Sequence, residues 1–153
     1  MTTLDQSSTA DFSAMTGLEQ LRAIIDGALP RPAMATTLNF RLSDVDDGTA
    51  TFEGEPTTNA LNPMGMIHGG WSASILDSAV GCAIHTTLKP GERYTTLELK
   101  INIVRAVLPD HGVYRCVGTV LHRGRTTATA EARLYNPEGK LAAHGTTTCL
   151  IMA

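Results

Sequence analysis

Asp77 is the only Asp, Glu, Lys or Arg between Pro56 and Leu88, a run of thirty-three residues. Aspartate suits a helix interior poorly, because its side chain competes for backbone groups and its charge is expensive to take out of water. A lone carboxylate in such a run has three explanations. It pairs with an arginine from elsewhere in the fold, such as Arg105 or Arg125; it sits at an exposed position; or it is held in a dry cleft as a base or nucleophile. The preceding residues favour the last. Asn62-Pro63 and Gly65 spell a turn, and His68-Gly69-Gly70 follows where a helix would begin. The first amides of a helix lack internal acceptors and lie at the positive end of its dipole, and glycine lets a ligand come close to them. Free amides aimed at a developing negative oxygen form an oxyanion hole, each donor being worth about 3 kcal/mol of barrier. Asp77 lies about two turns further on, so one element would carry both parts that acyl transfer requires.

Other catalytic patterns are missing or incomplete. Gly70-Trp71-Ser72-Ala73-Ser74 approaches a nucleophile elbow but lacks its final glycine and a preceding strand, which excludes a serine hydrolase of that kind. His85, His111, His122 and His144 form neither HExxH nor a Cys/His array, so no metal site is expected. No GxGxxG or GxxxxGK[ST] is present to cradle a dinucleotide or triphosphate.

The elements that must position these residues follow from periodicity. Thr16-Gly17-Leu18-Glu19 has capping-box spacing, and Leu18, Leu21, Ile25 and Leu29 recur at helical intervals until Pro30-Arg31-Pro32, which predicts a helix over about 17–29. Residues 36–45 and 49–55 read as strands joined by Asp46-Asp47-Gly48, a hairpin turn. The segment around Asp77, rich in Ala, Ser and Gly and ended by Pro90-Gly91, reads as a helix from about Gly69 to Leu88. Small or apolar residues surround nearly its whole circumference, so it should be covered on most sides. Leu97, Leu99, Ile101 and Ile103 then alternate with polar residues, and strands follow at 113–123, 126–135 and 140–151 with tight links at Gly124 and Asn136-Pro137-Glu138-Gly139. The expected fold class is α+β, an antiparallel sheet of five or six strands wrapped around one long helix. Its open edges would be closed most simply by a second copy, so a homo-oligomer is expected.

Composition narrows the partners. A chain of 153 residues fits one domain, with residues 1–15 read as a flexible polar arm and 16–153 as the domain. A net charge of −3 gives no basic stripe for nucleic acid. Cys82, Cys116 and Cys149 are an odd set without CxxC, and the N-terminus matches neither a signal peptide nor a membrane anchor, so reduced thiols and a cytoplasmic setting are expected.

Asn62-x5-His68-Gly69-Gly70-x6-Asp77, at the start of a central helix with four strands after it, resembles the hotdog-fold acyl-CoA thioesterases of the phenylacetate-pathway (PaaI) type. The resemblance runs from about Phe40 to Ile151 and includes the last hairpin, with its Gly-Arg pair and Gly-Lys turn. It implies a cleft between two subunits, within a dimer or a dimer of dimers, where the Asp of one helix faces the HGG segment of the neighbour. Gly69 would polarise the thioester carbonyl through its N–H, and Asp77 would activate water or attack directly. Asn62 would position the water or the thioester. His68 would orient the loop or touch the sulfur. Thr95 matches a hydroxyl position that helps hold the water. Gly70 belongs to the same backbone cradle, Trp71 is a candidate for the acyl pocket, and Arg123 and Arg125 are candidates for the CoA phosphates. The implied substrate is an aryl-, hydroxylated or medium-chain acyl-CoA, with no metal or redox cofactor, CoA being part of the substrate.

Each of these residues also has a plainer reading: a loop histidine bonded to backbone, a turn-capping asparagine, a strand threonine, a core tryptophan, solvated turn arginines. Two other functions share the fold, a dehydratase using His68 with Asp77 and a non-catalytic acyl-CoA binding module. A carboxylate beside the carbonyl is an expense that binding alone does not require, and the uncharged helix fits hydrolysis better than dehydration.

Overall fold

The computed structural model describes residues 11–153, so most of the expected arm lies outside the described residues. Within it, Phe12–Ala14 form a 3-10 turn capped by Asp11. Helix α1, Gly17–Ile25, starts at the expected capping box: the Thr16 side chain accepts from the Glu19 amide and the Glu19 carboxylate accepts from the Thr16 amide. It stops before Leu29, because Gly27 adopts a φ of 78° and turns the chain out. A short helix α2, Ala33–Thr37, takes in Thr36 and Thr37, where the sequence predicts the start of a strand, and the strand begins only at Phe40. The good helix formers Ala33-Met34-Ala35 after Pro32 account for it.

Strands β1 (Phe40–Asp46) and β2 (Thr49–Gly54) form the hairpin, turned at Gly48 with a φ of 75°. Helix α3, Gly69–His85, follows, and then β3 (Arg93–Ile103), β4 (Tyr114–Arg123), β5 (Thr127–Tyr135) and β6 (Leu141–Met152). All pairings are antiparallel, in one six-stranded sheet of order β1-β2-β4-β5-β6-β3. The edges are therefore β1 and β3. Cys82, Cys116 and Cys149 are all unpaired.

Helix α3 packs on β2, β3, β4, β5 and β6. Trp71, Ile75, Leu76, Ala79, Val80, Ala83 and Ile84 are buried, the two-on, two-off spacing of a helix half covered by a sheet. Gly118 sets the closeness of that packing, since a Cβ there would stand 2.2 Å from the Ala79 carbonyl oxygen. At its C-terminal end α3 receives α1: the Gly17 amide donates to the Leu88 carbonyl, and the Gln20 side chain meets His85 at 2.7 Å. The other half of α3 is only partly covered by the described residues. Gly70 is exposed there, and Ala73, Ser74, Asp77 and Ser78 are only partly buried.

The β3 pattern departs from the simple alternation. A bulge between Thr96 and Glu98 leaves Leu97 without a partner, and Leu97 and Ile103 are 58% and 46% exposed where the alternation predicts buried positions. The extra residue changes the parity of the strand, so Leu99 and Ile101 face α3 after the bulge, while Tyr94 and Thr96 face it before the bulge.

Candidate active site

His68 is the N-cap of α3. Its Nδ1 accepts from the Gly70 amide at 2.8 Å, which in the neutral ring puts the proton on Nε2. The cap consumes the Gly70 donor. The Gly69 amide, by contrast, has no acceptor among the described residues, because no helical carbonyl precedes it and no side chain reaches it. Of the two glycines, Gly69 thus carries the open N–H at the positive end of α3.

Asn62 closes the loop that leads into this helix. Its Oδ1 accepts from the Met64 and Met66 amides at 2.9 and 3.1 Å, while the Met66 carbonyl accepts from the Asn62 amide. The side-chain NH2 is left without an acceptor among the described residues. Asn62 therefore shapes the turn and retains two donors beyond it.

Asp77 makes no ion pair among the described residues, so neither Arg105 nor Arg125 neutralises it. Its Oδ1 accepts from the Thr96 hydroxyl at 3.3 Å. Thr95, the residue named from the sequence, is exposed, pairs across to Leu150 and faces away from α3. The bulge at Leu97 is the cause: counting back from Leu99 without it puts Thr95 inward, and with it Thr96. Nothing in Thr95-Thr96-Leu97-Glu98 marks the bulge in advance. The charge of Asp77 is felt by its surroundings, since the Cys82 thiol is pushed up to about 12 by burial first and Asp77 second.

Trp71 needs correction as a substrate contact. It is 2% exposed, donates its indole N–H to the Leu38 carbonyl at 2.8 Å, and packs edge-on against Phe40 and Tyr114. Its polar atom is satisfied inside the core, so no surface remains for an acyl group. Arg123 is also occupied: its guanidinium bonds Glu92 at 2.7 Å and Thr87 at 3.2 Å, tying the loop after α3 to the end of β4. Glu92 is correspondingly held below its ordinary range, chiefly by the Lys89 amide. Arg125 is exposed and makes no ion pair among the described residues, which leaves it as the open cation of the pair. No group of three or more His, Cys, Asp or Glu among the described residues is arranged to hold a metal ion.

A model of the thioesterase superfamily matches residues 64–143, the segment that holds the HGG cap, α3 and most of the sheet. The chain belongs to the thioesterase superfamily. Among solved structures, a phenylacetic acid degradation-related protein of Ralstonia eutropha superposes with a TM-score of 0.77 at 30% identity, covering 85% of this chain and 98% of that one. The E. coli PaaI protein superposes with a TM-score of 0.76 at 19% identity, over 89% and 96% of the two chains, a likeness of fold. A 1,4-dihydroxy-2-naphthoyl-CoA hydrolase of Listeria monocytogenes is 24% identical over 69% of this chain and 84% of its own length. The protein is a hotdog-fold thioester hydrolase, as the sequence resemblance implied. No helix of this thioesterase among the described residues is long and apolar enough to cross a membrane.

Proposed function

We propose that this thioesterase hydrolyses an aryl-, hydroxylated or medium-chain acyl-CoA in a site shared by two copies of the chain. The observation that carries the reading is the placement of two complementary groups on one helix, the open Gly69 N–H at its start and the unneutralised Asp77 further along. Eight residues of helix separate them by about 12 Å along the axis. Reacting atoms must approach to about 3–3.5 Å, so a single chain cannot apply both to one carbonyl. Two helices running in opposite directions can. The face of α3 that carries Asp77 is lined by small residues, and the neighbouring edge strand β3 exposes Leu97 (58%) and Ile103 (46%), followed by Val104 (57%). An edge strand of eleven residues with exposed apolar side chains, beside a thinly covered helix, suits a second copy, in a dimer or a dimer of dimers.

In this arrangement Gly69 of one copy receives the negative charge that develops on the thioester oxygen, strengthened by the dipole of α3. Asp77 of the other copy acts as general base on a water, with Thr96 fixing the carboxylate and the free Asn62 NH2 holding the water or the substrate. His68 positions the Gly69-Gly70 backbone through its cap, a duty that favours a supporting role over an acid–base pairing with Asp77 for dehydration. Arg125 is the group offered to the CoA phosphates, and the reaction so written uses no metal or redox group. A single turnover in water labelled with oxygen-18 leaves the Asp77 carboxylate unlabelled if it is a base.

Complementation tests the shared site. Gly69→Pro removes the open N–H at the first helical position, where proline is tolerated, and Asp77→Asn removes the base. Each variant alone should be inactive. Mixed copies should recover about one quarter of wild-type activity, because random pairing makes half the dimers hybrid and each hybrid holds one intact site. A mixture that stays inactive while hybrids form would sink the shared site.

A further inference from the structure

One polar group beside Asp77 is used by nothing so far described. Tyr94 projects from β3 toward α3, two residues before Thr96 and so on the same face, which the bulge at Leu97 turns inward. Its hydroxyl lies against Gly81, where a Cβ would stand 2.7 Å from it, and its ring packs edge-on to His85 with centroids 5.7 Å apart. Gly81 follows Asp77 by four residues and so lies next to it along one stripe of the helix. A side chain at position 81 would push the hydroxyl away, and the glycine is what admits it.

The hydroxyl has no hydrogen-bond partner among the described residues. Every fully enclosed side-chain polar atom described does have one, so the Tyr94 oxygen, though largely buried, is not fully enclosed. Burial above all, then Cys82, Cys149 and Asp77, pushes its pKa upward, so it remains an intact O–H donor at any pH the enzyme works in. Bulges recur next to active sites because they re-aim side chains, and this one aims Tyr94 and Thr96 together at the Asp77 stripe.

We propose that Tyr94 is a specificity-determining residue, whose hydroxyl donates a hydrogen bond to an oxygen carried by the acyl group about one helical turn, ~5.4 Å, beyond the carbon under attack. This rests on the proposed role of Asp77. The preferred acyl group is rigid and bears that oxygen at its far end, as a ring oxygenated opposite the carbonyl does. A short unsubstituted chain leaves the donor unpaired, which is how a polar pocket discriminates.

The test compares benzoyl-CoA with 4-hydroxybenzoyl-CoA in the full-length wild type, Tyr94→Phe and Gly81→Ala. Wild type should favour the hydroxylated thioester in kcat/KM. Tyr94→Phe should lower that preference by about three- to tenfold with benzoyl-CoA turnover within about twofold of wild type, and Gly81→Ala should lower it likewise by displacing the hydroxyl. The ratio of the two dissociation constants is also measured on Asp77→Asn with and without Tyr94→Phe, where no turnover is needed. A wild type that hydrolyses neither thioester would count against the proposed substrate class, while the binding ratio would still report on Tyr94. Absence of any wild-type preference, or an equal loss for both thioesters in Tyr94→Phe, would overturn the assignment.

Discussion

The two sides of α3 are built on opposite terms. The side facing the sheet is closed by the chain itself: Trp71, Ile75, Leu76, Ala79 and Val80 are buried, and the Trp71 N–H has found the Leu38 carbonyl. The side facing the β3 edge is left open: Asp77 has no cation, the Gly69 N–H has no acceptor among the described residues, and Leu97 and Ile103 stand exposed. A sealed polar group is satisfied because leaving it otherwise would cost about 1–3 kcal/mol. Groups left unsatisfied at a surface cost little while water serves them, and they are available when a substrate replaces the water. The difference separates what holds this thioesterase together from the groups we propose for its reaction.

That contrast can be broken at its extremes. Asp77→Asn should reduce thiol release from acyl-CoA by about 10²–10⁴-fold. It should leave the melting temperature nearly unchanged, as read by a thermal scan beside the kinetic assay. Trp71→Ala, on the closed side, should do the reverse to stability, costing about 3–5 kcal/mol in urea unfolding. If Trp71→Ala instead spared stability and shifted substrate preference, the tryptophan would belong to the open side after all.

Smaller effects sharpen the boundary. Thr96→Val should lower kcat by about tenfold through loss of the hydrogen bond to the Asp77 carboxylate, whereas Thr95→Val should change it less than about twofold. The opposite ranking would place the bulge elsewhere. His68→Ala should cost about 1 kcal/mol of stability through the lost cap, together with a fall in kcat as the Gly69-Gly70 backbone loosens.

The smallest expected effect lies at the closed C-terminal end. There Gln20 donates through its NH2 to the Phe12 and Met15 carbonyls, which turns its Oε1 to receive the His85 Nε2–H. Burial lowers the pKa of His85 from its ordinary value of 6.5, so the unfolded chain takes up a proton before the folded one does. Stability should therefore fall as pH drops through about 6.5 toward the lower folded value, and be constant with respect to this group above that window. Melting temperatures followed between about pH 8 and 5 should show a shallower acid decline in His85→Gln than in wild type.

Much of this was legible in the chain. The capping box at Thr16, the Asp46-Asp47-Gly48 hairpin and the strands from Tyr114 onward were readable because local chemistry and period-two burial determine them. The uncharged run with its HGG start and single carboxylate located the helix and its candidate reactive groups, and carried the family resemblance. The partners of Arg123 and Trp71 were not legible for the same reason: residue type says what a side chain can bind, and only packing says what it has already bound. Arg123 had met Glu92 and Thr87, thirty-one and thirty-six residues away in the chain.

The sequence by itself determined most of the elements and which residues are candidates for reactive chemistry, since propensity, capping and hydrophobic period act over a few neighbouring positions. Tertiary structure alone decided which of those groups remain available. One unpaired residue in β3 set whether Thr95 or Thr96 meets Asp77, and brought Tyr94 to Gly81. A bulge is settled by how a whole strand fits against β6 and α3, and every side chain on one side of it changes face when that fit shifts by one residue.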